Sequence, residues 1–126
     1  MRIDNMHNIT NILGTAMQAS VVRDNVISNN IANVDTPGFK RSIVRFEDML
    51  ADAVRDFRKT GTLDLSSIRP QIFREYDFLN YRIDENNVDI EFEMVQLYQN
   101  SVRFDVMSSG IMNHYRIINM TIGSMA

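Results

Sequence analysis

Apolar and polar positions divide the 126 residues into two long helical stripes separated by a charged, irregular stretch. The second stripe is the more regular. Ile90, Met94, Leu97, Ser101, Phe104, Ser108, Ile111, Tyr115, Ile118, Ile122 and Met125 follow one another at alternating spacings of four and three, and nine of the eleven are large and apolar. A repeat averaging 3.5 residues makes a coiled-coil seam, so the pattern predicts a helical arm over 88–126 that packs along those positions. Asp89 or Asn87 supplies an N-cap, and Glu91 and Glu93 suit the positive end of the helix dipole. Gly110 is where a bend or a close helix contact is expected.

In the first stripe, Ile9, Ile12, Leu13, Ala16, Ala19, Val22, Val26 and Ile27 lie on or near one face of a helix from about Asp4 to Asn33. Ala16, Ala19 and Ser20 are small enough for another element to come close. The helix must stop within the run SNNIANVDTPGFK, residues 28–40. Pro37 lacks an N–H and drives Thr36 out of helical angles, while Gly38 accepts the positive φ required at the third position of a type II turn. Between the arms, Phe46, Met49, Leu50, Ala53, Val54 and Phe57 predict a short amphipathic helix ending near Thr60 and Gly61. The stretch 68–83 has no helical period and carries Phe73, Tyr76, Phe78 and Tyr81, which favours an extended or β-hairpin piece.

The expected fold is therefore mainly α. Long N- and C-terminal helices, residues 1–34 and 88–126, form an elongated coiled-coil-like hairpin around a small irregular or β middle segment, residues 35–87, all in one elongated domain. Charge follows the same division: the two arms hold ten charged residues, and the shorter middle holds nineteen. A solvated insertion between two buried or partner-facing arms has this distribution. Helices this long leave apolar faces that a single seam does not cover, so the arms are expected to order fully only on assembly with neighbouring subunits.

Composition excludes several classes. A net charge of -3 gives no basic patch for nucleic acid, and the absence of cysteine rules out disulfides and thiolate metal sites. No apolar run reaches the length of a membrane span, and polar Asn8, Thr10 and Asn11 interrupt what would be the core of a cleaved signal, so neither is expected. His7 and His114 have no second ligand at helical spacing. Asp84, Glu85, Asp89, Glu91 and Glu93 lack the EF-hand spacing and read as an acidic helix start. Without a nucleophile elbow, a phosphate-binding glycine loop or an HExxH motif, no enzyme is expected, and no cofactor or metal.

The Asn-rich helix end and the turn after it, Asn29, Asn30, Ile31, Ala32, Asn33, Thr36, Pro37, Gly38 and Phe39, resemble the N-terminal signature of the bacterial flagellar basal-body rod family. The run NNVDIEFEM, residues 86–94, and the short chain are similar to the proximal rod members. The resemblance implies a structural subunit that polymerises through its terminal helices into the periplasmic axle transmitting torque. It also implies export by the flagellar type III apparatus. The partners it implies are copies of itself, other rod proteins, the membrane ring or export gate, and the adaptor at the rod base. For Asn29, Asn30 and Asn33 it implies contacts between subunits that fix register, and for Phe39 the side chain that anchors the turn. The competing expectation is a helical adaptor or chaperone-like module that binds one partner without polymerising.

Overall fold

The computed structural model describes residues 3–66, 68–76 and 82–124, and of residues 3–6 the backbone alone. Its elements in chain order are α1 (Ile3–Ala32), β1 (Ser42–Arg45), α2 (Glu47–Thr60), β2 (Gln71–Arg74) and α3 (Ile90–Gly123). At about 1.5 Å per residue, α1 and α3 are about 45 and 51 Å long, so they dominate the molecule. They pack antiparallel. Glu93 meets Asn30, Asn100 meets Ser20 and Asp24, and Gly110 lies against Leu13, so rising numbers on α3 oppose falling numbers on α1.

Each boundary has a local cause. Asp89 caps α3 by accepting from the N–H groups of Glu91 and Phe92, and both glutamates of the first turn sit at the positive end of the dipole. The helix runs through Gly110 without a break, and a Cβ there would lie 3.5 Å from a Leu13 methyl, so the expected close contact is real and involves α1. α2 carries Glu47 and Asp48 in its first turn and Arg58 and Lys59 in its last. It ends where Gly61 adopts φ 74° and donates its N–H to the Phe57 carbonyl at 2.8 Å.

The small apolar core lies where the middle segment covers α1. Ala19, Phe46 and Ile68 are buried, with Ala16, Met49, Leu50, Ala53 and Leu65 packed against them. The small residues of α1 do admit a close neighbour, but on this face it is Phe46 and the chain around Ile68, not a second long helix.

β1 and β2 pair antiparallel, with Ile43 opposite Phe73 and Val44 opposite Ile72. The extended piece expected within 68–83 is present as β2. Its partner is not a local hairpin strand but β1, on the far side of α2. β-branched Ile43 and Val44 favour the strand, and Arg45 lies over the Phe73 ring, 5.4 Å from its centre. Phe78 and Tyr81 lie outside the described residues.

Candidate functional site

α1 ends in a set of hydrogen bonds supplied by its own asparagines. The Asn33 amide donates to the Asn29 carbonyl at 2.8 Å, and the Thr36 hydroxyl donates to the Asn33 side-chain oxygen at 3.2 Å. The type II turn follows: Gly38 has φ 70°, and the Phe39 N–H reaches the Thr36 carbonyl at 3.2 Å. This loop is held from the other end of the chain. The buried Asn86 amide lies 2.8–3.0 Å from the carbonyls of Asn33, Val34 and Thr36, and the Gly38 N–H donates to the Asp84 carbonyl at 2.7 Å. The two motifs quoted from the sequence, 28–40 and 86–94, thus form one junction.

At its centre is Glu93, with no exposed surface. One carboxylate oxygen accepts from Arg41 Nε at 2.8 Å and the other from the Asn30 amide at 3.2 Å, while Arg41 also pairs with Glu75 and stacks on Phe92. A buried carboxylate is tolerated only when its lone pairs are met in this way. Two asparagines stand in for peptide groups. Asn30 donates to the Ser42 carbonyl at 2.8 Å and accepts its N–H at 2.9 Å, as a neighbouring strand would. Asn87 bridges the strands where the ladder opens, accepting the Arg41 N–H at 2.7 Å and donating to the Glu75 carbonyl at 2.8 Å. Farther along, Asn100 donates to the Ser20 carbonyl and to Asp24, both at 2.8 Å. No buried side-chain polar atom among the described residues lacks a partner.

The sequence matches the family model described as "Flagella basal body rod protein" over residues 11–40, which spans most of α1 and the turn. The match extends to whole proteins. The flagellar basal body rod protein FlgB of Borrelia hermsii is 33% identical, with 97% of this chain and 96% of that protein covered. FlgB of Borreliella burgdorferi is 31% identical over 80% of this chain and 85% of its own, and FlgB of Bacillus subtilis 32% identical over 75% and 78%. The chain belongs to the FlgB family of flagellar basal body rod proteins. It is a structural subunit of the rod in the flagellar basal body, and the non-polymerising adaptor is not favoured.

Within this FlgB-family chain the motif residues divide. Asn30 has no exposed surface and both ends of its amide are used internally, so it cannot reach a neighbouring subunit. The subunit-bridging role expected of it is replaced by a tie within the chain. Asn33 caps its own helix, Phe39 is half-buried, and Asn29, Ala32, Thr36, Pro37 and Gly38 are exposed. Ile31 is half-buried.

The seam residues divide as well. Leu97, Phe104, Ile111 and Ile118 turn partly inward, interleaved with Glu93, Asn100, Met107 and His114, which are spaced by seven and lie one step round the helix from the bulky stripe. Ile90, Met94, Tyr115 and Ile122 are exposed, as are Val95 and Tyr98 on the outer side of α3 and Val102 and Val106, which line a cleft shared with Ala16, Ser20, Phe46 and Leu50; Met125 lies outside the described residues. The inward seam of α3 is therefore partly polar, and many large apolar side chains lie exposed elsewhere on the helix. Large side chains dominate a periodicity count, so the polar heptad passed unnoticed, although its spacing of seven is plain once α3 is known to lie on α1.

Proposed function

We propose that this chain is a proximal rod subunit that polymerises through its terminal helices, with the outer side of α3 as the main adhesive surface and the residues 35–87 facing outward. One observation carries the reading: along α3, large apolar side chains from Ile90 to Ile122, among them Val95 and Tyr98, stay open to solvent although the helix already packs on α1. So many exposed large apolar side chains on one helix mark a protein-binding surface. Ile90, Met94, Tyr115 and Ile122 are then inter-subunit seam positions, and the turn at Thr36–Phe39 fixes how the middle leaves the tube.

The polymer so built is the axle that carries torque across the periplasm. Its neighbours are copies of itself, other rod proteins, the membrane ring or export gate and the adaptor at the rod base. Delivery is by the flagellar type III apparatus without a cleaved signal, and no catalysis is involved. No helix among the described residues is long and apolar enough to cross a membrane. A deletion strain viewed by electron microscopy should lack rods and hooks. Complete rods in that strain would overturn the proposal, and so would normal rods after Val95→Asp and Tyr98→Asp are introduced together on the outer side of α3.

A further inference from the structure

The two-stranded sheet leaves one edge open. Both backbone groups of Ser42 are bonded to Asn30, and the Glu75 N–H reaches the Arg41 carbonyl at 3.0 Å, so the residues that face each other across the ladder are 43 with 73 and 45 with 71, with a single bond joining 41 and 75 where Asn87 takes the other two groups. In an antiparallel pair the alternate residues point their peptide groups the other way. Ile72 and Arg74 therefore turn N–H and C=O away from β1, and among the described residues nothing bonds them there. β1 differs, because the Asn30 amide closes its outward groups at Ser42.

Beside the open edge lies a groove of about 380 Å³ between β2 and α1, lined by Val22, Asn25, Val26, Asn29, Ser42 and Ile72. A strand added to β2 would place every second side chain on the side of the sheet shared by Ile72 and Arg74, over this groove. Val22 and Val26 give it an apolar floor, and the exposed amides of Asn25 and Asn29 a polar rim. Asn29 is also the motif asparagine whose side chain the internal junction leaves without a partner among the described residues. Charge adds a further constraint. Arg69 and Arg74 are exposed on and just before β2, and among the described residues neither is paired with a carboxylate.

We infer that β2 is a strand-addition site for an extended acidic segment of a neighbouring protein. The segment's backbone pairs with Ile72 and Arg74, one of its apolar side chains enters the groove on α1, and its carboxylates meet Arg69 and Arg74. Backbone bonds supply adhesion and the groove and arginines supply selectivity, the usual division of labour in recognition by added strands. The inference rests on the rod reading only for the presence of protein neighbours. It uses a surface separate from the outer side of α3, so either can fail without the other.

The test titrates the full-length chain with two fluorescent octapeptides, one alternating Asp and Val and one alternating Lys and Val. The acidic peptide should bind at least tenfold more tightly, and more weakly as salt rises. Ile72→Pro deletes an outward N–H, a change that edge strands tolerate, and should weaken binding at least tenfold with an unchanged far-ultraviolet circular dichroism spectrum. Should that variant misfold, Arg69→Glu with Arg74→Glu serves instead and should reverse the preference toward the lysine peptide. Equal binding of both peptides, binding of neither, or a charge-reversed variant that keeps the original preference overturns the inference. So does sedimentation showing that the edge variants abolish a homodimer, since the occupant would then be a second copy. Rod assembly, scored separately by motility, reports on α3 and not on this edge.

Discussion

The junction around Glu93 and the outer side of α3 are opposites in chemistry. In the junction almost every group is polar, buried and already bonded within the chain: Asn30, Asn86 and Glu93 have at most 1% of their surface exposed. On the outer side of α3 large apolar groups are open, Tyr98 at 72% and Val95 at 52%. Polar bonds are directional and weaken steeply with misalignment, whereas apolar contact is not. The junction is thus suited to fixing one geometry of the protomer, and the α3 surface to adhering across slightly different neighbour positions. Shape and adhesion reside in separate places, so they should be separable by mutation.

The largest effect belongs to Glu93→Ala. It removes the acceptor of Arg41 Nε and of the Asn30 amide while leaving Arg41 its pair with Glu75 and Asn30 its bond to Ser42, which costs about 3 kcal/mol, so urea unfolding should shift to a lower midpoint and assembly should fail with it. An unfolding midpoint equal to wild type would show that the junction does not fix the protomer. Gly38→Val comes next. A Cβ at Gly38 meets nothing, so the cost is conformational, about 1–2 kcal/mol for a β-branched residue at φ 70°, and Gly38→Asn should recover much of it. Rod assembly should fall in the valine variant and return in the asparagine one, as read by motility on soft agar.

On the other side of the contrast, Tyr98→Ser should change protomer stability by less than about 0.5 kcal/mol yet reduce assembly, because the side chain is largely exposed in the lone chain. A smaller effect concerns pH. Asp84 is held below its ordinary value, chiefly by the hydrogen bond from Arg82 and in part by the Asn86 N–H. A carboxyl whose value is lowered by folding adds stability above its unfolded value and loses it as pH falls through the folded one. The unfolding midpoint should therefore drop below about pH 4 slightly more in wild type than in Asp84→Asn.

Much of this was legible from residues alone, and the divisions have physical reasons. Helix ends were readable because Pro37, Gly38, Gly61 and Asp89 act through local backbone chemistry that no tertiary contact needs to supply. The strand β2 was readable as extended but its partner was not, since pairing across α2 depends on Asn30 and Asn87 replacing peptide groups, which leaves no period in the sequence. Four of the nine apolar seam positions, Leu97, Phe104, Ile111 and Ile118, lie partly inward. The other inward positions, Glu93, Asn100 and His114, escaped because polar residues are expected outside unless a partner is known. Arg41 and Asn86 escaped for the same reason: their bonding partners lie 52 and about 50 residues away in the chain.

The antiparallel packing of α1 and α3 sets Ile3 and Gly123 at one pole of the molecule and the sheet at the other. Each protomer is consequently an arrow with unlike head and tail. Arrows stacked along a common axis make a column whose two tips differ in composition, so that one tip can be reserved for anchoring and the other for elongation without any further signal.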